Sequence, residues 1–229
     1  MSNESRIYFL NNPYPKGHLL EEFTWSGRLE PNTGIWFDLH LRTKHYYDED
    51  ESGDSEEVSN DWNAKIVWAN YSRCTLSSTF WDDKTGILIG TKRRKLDFQN
   101  LVSEVIEADK LPRPKSFDIN EDPPFHIYLL GHDDCAEHKI QFTNSQKTGF
   151  FDIKWNGKIA LAYAGDYEFK YDFDAKIYQT RFDGIRVPAG ISKMEIEDLL
   201  KHFVSDPDLF VLNEREGKLI LNNISQYGV

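Results

Sequence analysis

Methionine and cysteine are scarce in this chain, with two of each in 229 residues. No apolar run approaches the roughly 18 residues needed to span a bilayer, so no membrane contact is expected. The N-terminal stretch has no basic segment followed by an apolar one, and the chain therefore reads as soluble, unexported and cytoplasmic. Cys74 and Cys135 could form one bridge, but in that setting they read more simply as two reduced thiols, and a chain of this length needs no disulfide for stability. Basic residues are the minority charge, 27 against 38 acids, for a formal net charge of -11. A nucleic-acid surface needs a wide basic field and is not expected here. Also missing are the Gly-x-Ser-x-Gly elbow, the phosphate loop and the dinucleotide glycine fingerprint. No cofactor and no catalytic residue are assigned.

Aromatic residues are abundant instead, with 15 Phe, 11 Tyr and 6 Trp. Such side chains suit a pleated, half-buried surface and point to sheet. The clearest signal lies between residues 150 and 187. Phe151, Ile153 and Trp155 alternate with polar residues, and the pair Asn156-Gly157 that follows favours a type I′ hairpin turn. Ile159, Leu161 and Tyr163 form the returning face. Tyr167, Phe169, Tyr171 and Phe173 describe a further strand, residues 176–182 the next, and Asp183-Gly184 turns into residues 185–187. The pattern is an antiparallel meander. In the first half, residues 35–41, 66–71, 74–81 and 87–89 read as strands.

Two amphipathic helices are expected on the sheet faces. Asp97 can cap a segment in which Phe98, Leu101, Val102, Val105 and Ile106 follow helical spacing, with Pro112 ending it. The second opens on Ser192 and Glu195, a capping box, and buries Ile196, Leu199, Leu200 and Phe203 before Pro207. A hairpin over residues 209–221 closes the chain. The fold class is thus α+β, rich in antiparallel sheet. Residues 109–124 hold four prolines and no periodicity. The preferred division is a lobe at 1–111, a linker or crossover at 112–124 and a second lobe at 125–229, with a single domain as the alternative. Trp25-Ser26-Gly27 echoes Trp155-Asn156-Gly157, but the spacings to the two helices disagree, and turn chemistry alone accounts for the echo.

Charge singles out one segment. Seven of the ten residues at 48–57 are acidic: Asp48, Glu49, Asp50, Glu51, Asp54, Glu56 and Glu57. Without these seven the formal charge falls from -11 to -4. Such a run cannot enter an apolar core, so it is a solvated insertion or a patch that attracts a basic partner. Lys92, Arg93, Arg94 and Lys95 precede the first expected helix and form a candidate anion site at its N-terminus.

The densest cluster of potential ligands is residues 131–138. His132, Cys135 and His138 are spaced by three, with His126 or Cys74 as a fourth candidate. Flanking runs at 125–130 and 139–142 read as strands, which makes the cluster a polar hairpin loop. Two functional classes follow. The preferred one is a non-catalytic cytoplasmic binding protein, inhibitor- or immunity-like, whose acidic surface engages a basic protein. The alternative is a metal-dependent hydrolase, with His132, Cys135 and His138 as ligands and Asp133, Asp134 or Glu137 as base.

Overall fold

In the computed structural model, which describes residues 4–49, 60–81, 85–215 and 217–223, the β-sheet closes on itself. The strands of the first half are β1 (Arg6–Phe9), β2 (His18–Glu30), β3 (Gly34–Thr43), β4 (Thr75–Ser77), β5 (Ile87–Gly90) and β6 (Val105–Ala108). Those of the second half are β7 (His126–Tyr128), β8 (His132–Asn144), β9 (Phe151–Ala160), β10 (Tyr171–Thr180), β11 (Ile185–Arg186), β12 (Phe210–Arg215) and β13 (Lys218–Asn223). Two helices, α1 (Lys65–Tyr71) and α2 (Lys193–Phe203), accompany them.

The barrel runs β1, β2, β3, β4, β7, β8, β9, β10 and back to β1, eight strands each antiparallel to its neighbours. Closure comes from Arg6 pairing with Lys176 and Phe9 with Phe173. It corrects the expectation of open hairpins and a meander: period-2 alternation gives each strand an inner face but does not say whether the last strand returns to the first. Four barrel strands come from before residues 112–124 and four from after them. Further strands continue the edges that the barrel leaves free. β5 pairs with β3, β6 with β8, and β11 lies parallel to β2 and carries the β12–β13 hairpin.

Side chains fill the interior. Ile7, Ala175, Trp155 and Ile140 lie in register across β1, β10, β9 and β8, and all are fully buried. Trp25, Phe37, Phe142 and Phe182 pack together towards one end. At the other end Trp68 of α1 stacks on His18 with centroids 5.6 Å apart, and Phe9, Tyr14, Tyr46 and Trp62 surround it. Among the described residues no helix is long and apolar enough to cross a membrane.

Several local expectations are corrected. The helix expected from Asp97 to Ile106 is a 3₁₀ turn, Leu101–Ser103, followed by β6. Asp97 still caps, accepting from the Asn100 backbone N–H at 3.1 Å, but it closes a turn. The β-branched Val105 and Ile106 then favour an extended strand that pairs with Gln141 and Ile140. Conversely, residues 66–71, read as a strand, lie in α1, where Trp68 is buried and Ile66 exposed. Asn156-Gly157 is no turn but the middle of β9. A Cβ at Gly157 would stand 2.8 Å from the Phe173 ring, so the glycine serves close packing. The strands read at 167–173 and 176–182 are one strand, β10, and Tyr167 is exposed. The second helix is α2 as read, with its Ser192–Glu195 capping box, and the final hairpin is β12–β13.

Candidate functional site

The segment 129–131 turns β7 into β8 at the barrel end that α1 covers. Gly131, at φ +132°, lets the Tyr163 ring press where a Cβ would otherwise stand, 2.4 Å from it. Beyond the turn, Asp133 accepts from the Leu130 N–H at 2.9 Å and the Tyr163 N–H at 3.4 Å. Burial raises its carboxyl above the usual range, and these backbone bonds only partly offset that. Trp81 stands across from the strand with its ring centroid 6.2 Å from both His126 and His132. Together with Asn120, Phe125 and Asp134 these residues line a cleft of about 490 Å³. Mouths of β-barrels are a frequent setting for ligand sites.

One wall of the cleft is held by Arg113. Its guanidinium meets Asp109 at 2.6 Å, Asp134 at 2.5 Å and the Cys135 carbonyl at 2.9 Å. Phe117 and Phe169 cover it, with ring centroids at 4.4 and 4.9 Å. Burial opposes the charge, but the bonds to the two carboxylates outweigh it and raise the guanidinium above its ordinary range. Arg113 thereby fastens the proline-containing crossover to β8, and the crossover delivers Ile119 and Asn120 to the cleft.

The structure does not gather His132, Cys135 and His138. They lie along β8 itself and not in a hairpin loop, which corrects that expectation. His132 is exposed at the cleft, whereas Cys135 and His138 are buried. The strand separates the two histidines by roughly 15 to 20 Å at about 3.3 Å per residue, too far to share one ion. Among the described residues no group of three His, Cys, Asp or Glu side chains could hold a metal. Cys135 Sγ donates to the Phe125 carbonyl at 3.4 Å, and burial pushes its thiol, like that of Cys74, well up. Arg113 lies near Cys135, but burial, Asp134 and Asp109 outweigh it, so neither thiol is held as a reactive thiolate. His138 Nδ1 accepts from Trp155 Nε1 at 3.2 Å, and burial lowers its imidazole to about 3. It is a neutral core residue. Glu137, at φ +52°, marks a bulge in β8.

The basic run is divided among separate tasks. No helix follows it, which removes the N-terminal anion site expected there. Thr91 and Arg94 form a turn, Arg94 pairs with Glu104 at 2.6 Å, and Lys95 Nζ donates to the Lys201 carbonyl in the last turn of α2 at 2.7 Å. Lys92 and Arg93 are exposed. A cation on the final carbonyls of a helix is a favourable cap.

Of the acidic run, Asp48 and Glu49 end a 3₁₀ turn, Tyr46–Glu49, while Asp50, Glu51, Asp54, Glu56 and Glu57 lie outside the described residues. On the far side a second 3₁₀ turn, Asp61–Asn63, leads into α1. Both flanks are anchored. Tyr46 is fully buried and its hydroxyl donates to the Leu129 carbonyl at 3.3 Å, and Trp62 Nε1 donates to the Leu10 carbonyl at 2.9 Å. Trp68 packs against both, at 5.1 and 5.3 Å.

The sequence pattern singles out His132 and His126 as candidate metal ligands and Asp133 or Asp134 as a base, with His126 on a flanking strand and the others in a loop, and it gives Trp81 no part in the site. The pairing of Ser77 with His126 brings the end of β4, and so Trp81, to β7 although 48 residues of chain lie between the paired positions. No local pattern encodes that. No family model, no curated protein and no solved structure matches the chain.

Proposed function

We propose that the chain is a non-catalytic cytoplasmic binding protein that engages a basic protein through its acidic surface. The observation that carries this reading is the anchoring of both flanks of the acidic run on one indole. Tyr46 and Trp62, the described residues that flank the acidic run in the sequence, are both buried against Trp68, so the chain leaves and re-enters the described fold at one indole. Concentrated charge tied to a rigid base speeds encounter with an oppositely charged partner and suppresses acidic competitors. The same barrel end carries the cleft with Asp133, joined to the acidic run's root through the Tyr46 bond to Leu129. Nothing in the burial of Cys135 and His138 favours the hydrolase alternative.

The test is the association rate of a basic partner as ionic strength rises. Exposed charges act through a field screened over about 8 to 10 Å at physiological salt. The rate should fall steeply with salt for the wild-type chain and shallowly for a chain with neutral residues at the seven acidic positions. Equal salt dependence in the two chains would refute the reading.

A further inference from the structure

We infer that the cleft beside Trp81 receives one guanidinium side chain of the basic partner, with Asp133 as its carboxylate and Trp81 as its aromatic wall. This rests on the proposed engagement of a basic protein and assigns a specific contact within it.

The lining has the chemistry of a cation site. Asp133 accepts one backbone N–H on each oxygen, from Tyr163 on Oδ1 and Leu130 on Oδ2. An ionised carboxylate offers about four lone-pair sites, so each oxygen keeps one. Two parallel donors on a planar fork match that remainder, which favours guanidinium over the point charge of an ammonium. The backbone bonds fix the carboxylate before any ligand arrives, which reduces the entropy lost on binding. Burial raises the Asp133 carboxyl, and the two backbone bonds and the neighbouring His132 offset that only in part.

Neighbouring groups leave the role open to an incoming cation. Arg113 is committed to Asp109 and Asp134 and covered by Phe117 and Phe169. Among the described lining residues there is no lysine or arginine. Trp81 provides an indole, the ring that holds a cation best. Asn120 also lines the cleft, with its side-chain amide donating to Asp118 at 3.3 Å. The site adjoins the root of the acidic run, since the Leu129 carbonyl that receives the Tyr46 hydroxyl lies four residues before Asp133. A partner engaged beside the Tyr46–Glu49 turn would meet the cleft close by.

The experiment titrates the full chain with capped Gly-Arg-Gly, capped Gly-Lys-Gly and capped Gly-citrulline-Gly, read by calorimetry and tryptophan fluorescence. The arginine peptide should bind saturably, and the neutral citrulline peptide should not. Trp81→Ala and Asp133→Asn should each weaken the arginine peptide roughly tenfold or more. If Asp133→Asn melts early, Trp81→Ala and Asn120→Ala decide. Failure of the wild-type chain to bind the arginine peptide overturns the inference, as does undiminished binding by the variants or equal binding of the lysine or citrulline peptide. The two readings separate cleanly. A chain neutralised at residues 48–57 should lose the basic protein's salt dependence yet retain the tripeptide. Tripeptide failure alongside run-dependent protein binding sinks the cleft assignment alone, and the reverse pattern sinks the acidic-run reading alone.

Discussion

Arg113 and Asp134 meet through two nitrogens and two oxygens, at 2.5 and 2.9 Å, and Asp109 completes a clamp that is almost wholly buried. Removing the guanidinium would leave two carboxylates facing one another out of water. Arg113→Ala should therefore destabilise the fold by about 3 to 5 kcal/mol, the usual cost of breaking a buried pair from one side. Urea denaturation measures it. A loss below about 1 kcal/mol would show that water reaches Asp109 and Asp134 freely.

His138 gives a pH dependence with a definite sign. Its imidazole is lowered from 6.5 to about 3 in the folded chain, so between those values the unfolded chain binds the extra proton. Stability from this group is present above pH 6.5 and is lost as pH falls towards 3. The slope is about 1.4 kcal/mol per pH unit within that window, for a total on the order of 4 to 5 kcal/mol. His138→Asn keeps an acceptor for Trp155 but removes the titration. Subtracting its stability curve from that of the wild type should leave this slope, and a flat difference would show that His138 is protonated or solvated in the fold.

Helix α2 offers a graded test of burial. Leu200 is buried and Leu199 only partly so. Leu200→Ala should cost roughly 2 to 5 kcal/mol through lost contacts and a residual cavity, and Leu199→Ala less. Lys201→Ala should be nearly silent, because the bond from Lys95 reaches the Lys201 main-chain carbonyl. Thermal unfolding of the three variants should rank them in that order.

Gly157→Ala should destabilise by about 1 to 3 kcal/mol through overpacking, since the added methyl would meet the Phe173 ring at 2.8 Å and the Ala136 carbonyl at 2.9 Å. A neutral result, measured by chemical denaturation, would mean that Phe173 can shift aside without loss.

What the sequence made legible follows from how local each signal is. The Ser192–Glu195 box and the apolar stripe behind it are contained within twelve residues, and they specify α2. Alternation in β3, β9 and β10 is equally local. Asn156-Gly157 misleads because a glycine that admits a neighbouring ring and a glycine that turns the chain are the same residue in a sequence. Val105 and Ile106 mislead because helical spacing over nine residues is also met by a turn followed by a strand. Barrel closure, the Arg113 clamp and the cleft depend on pairings between distant segments, such as Phe9 with Phe173 and Ser77 with His126. Those contacts leave no periodic trace. The cleft residues were half legible: His132 and Asp133 stood out by type, but only the β4–β7 pairing sets Trp81 opposite them.

On the proposed function, the location of charge, and not its total, governs association. Two variants of equal net charge test it most directly. One has neutral residues at Asp48, Glu49, Asp50, Glu51, Asp54, Glu56 and Glu57. The other keeps these and is neutral at Glu168, Asp172, Asp174, Glu195, Glu197, Asp198 and Glu214. Both carry a formal charge of -4 in place of -11. Measured against one basic partner at fixed ionic strength, the first should associate more slowly by roughly tenfold or more, and the second should stay close to the wild type. Equal slowing in both variants would contradict the account.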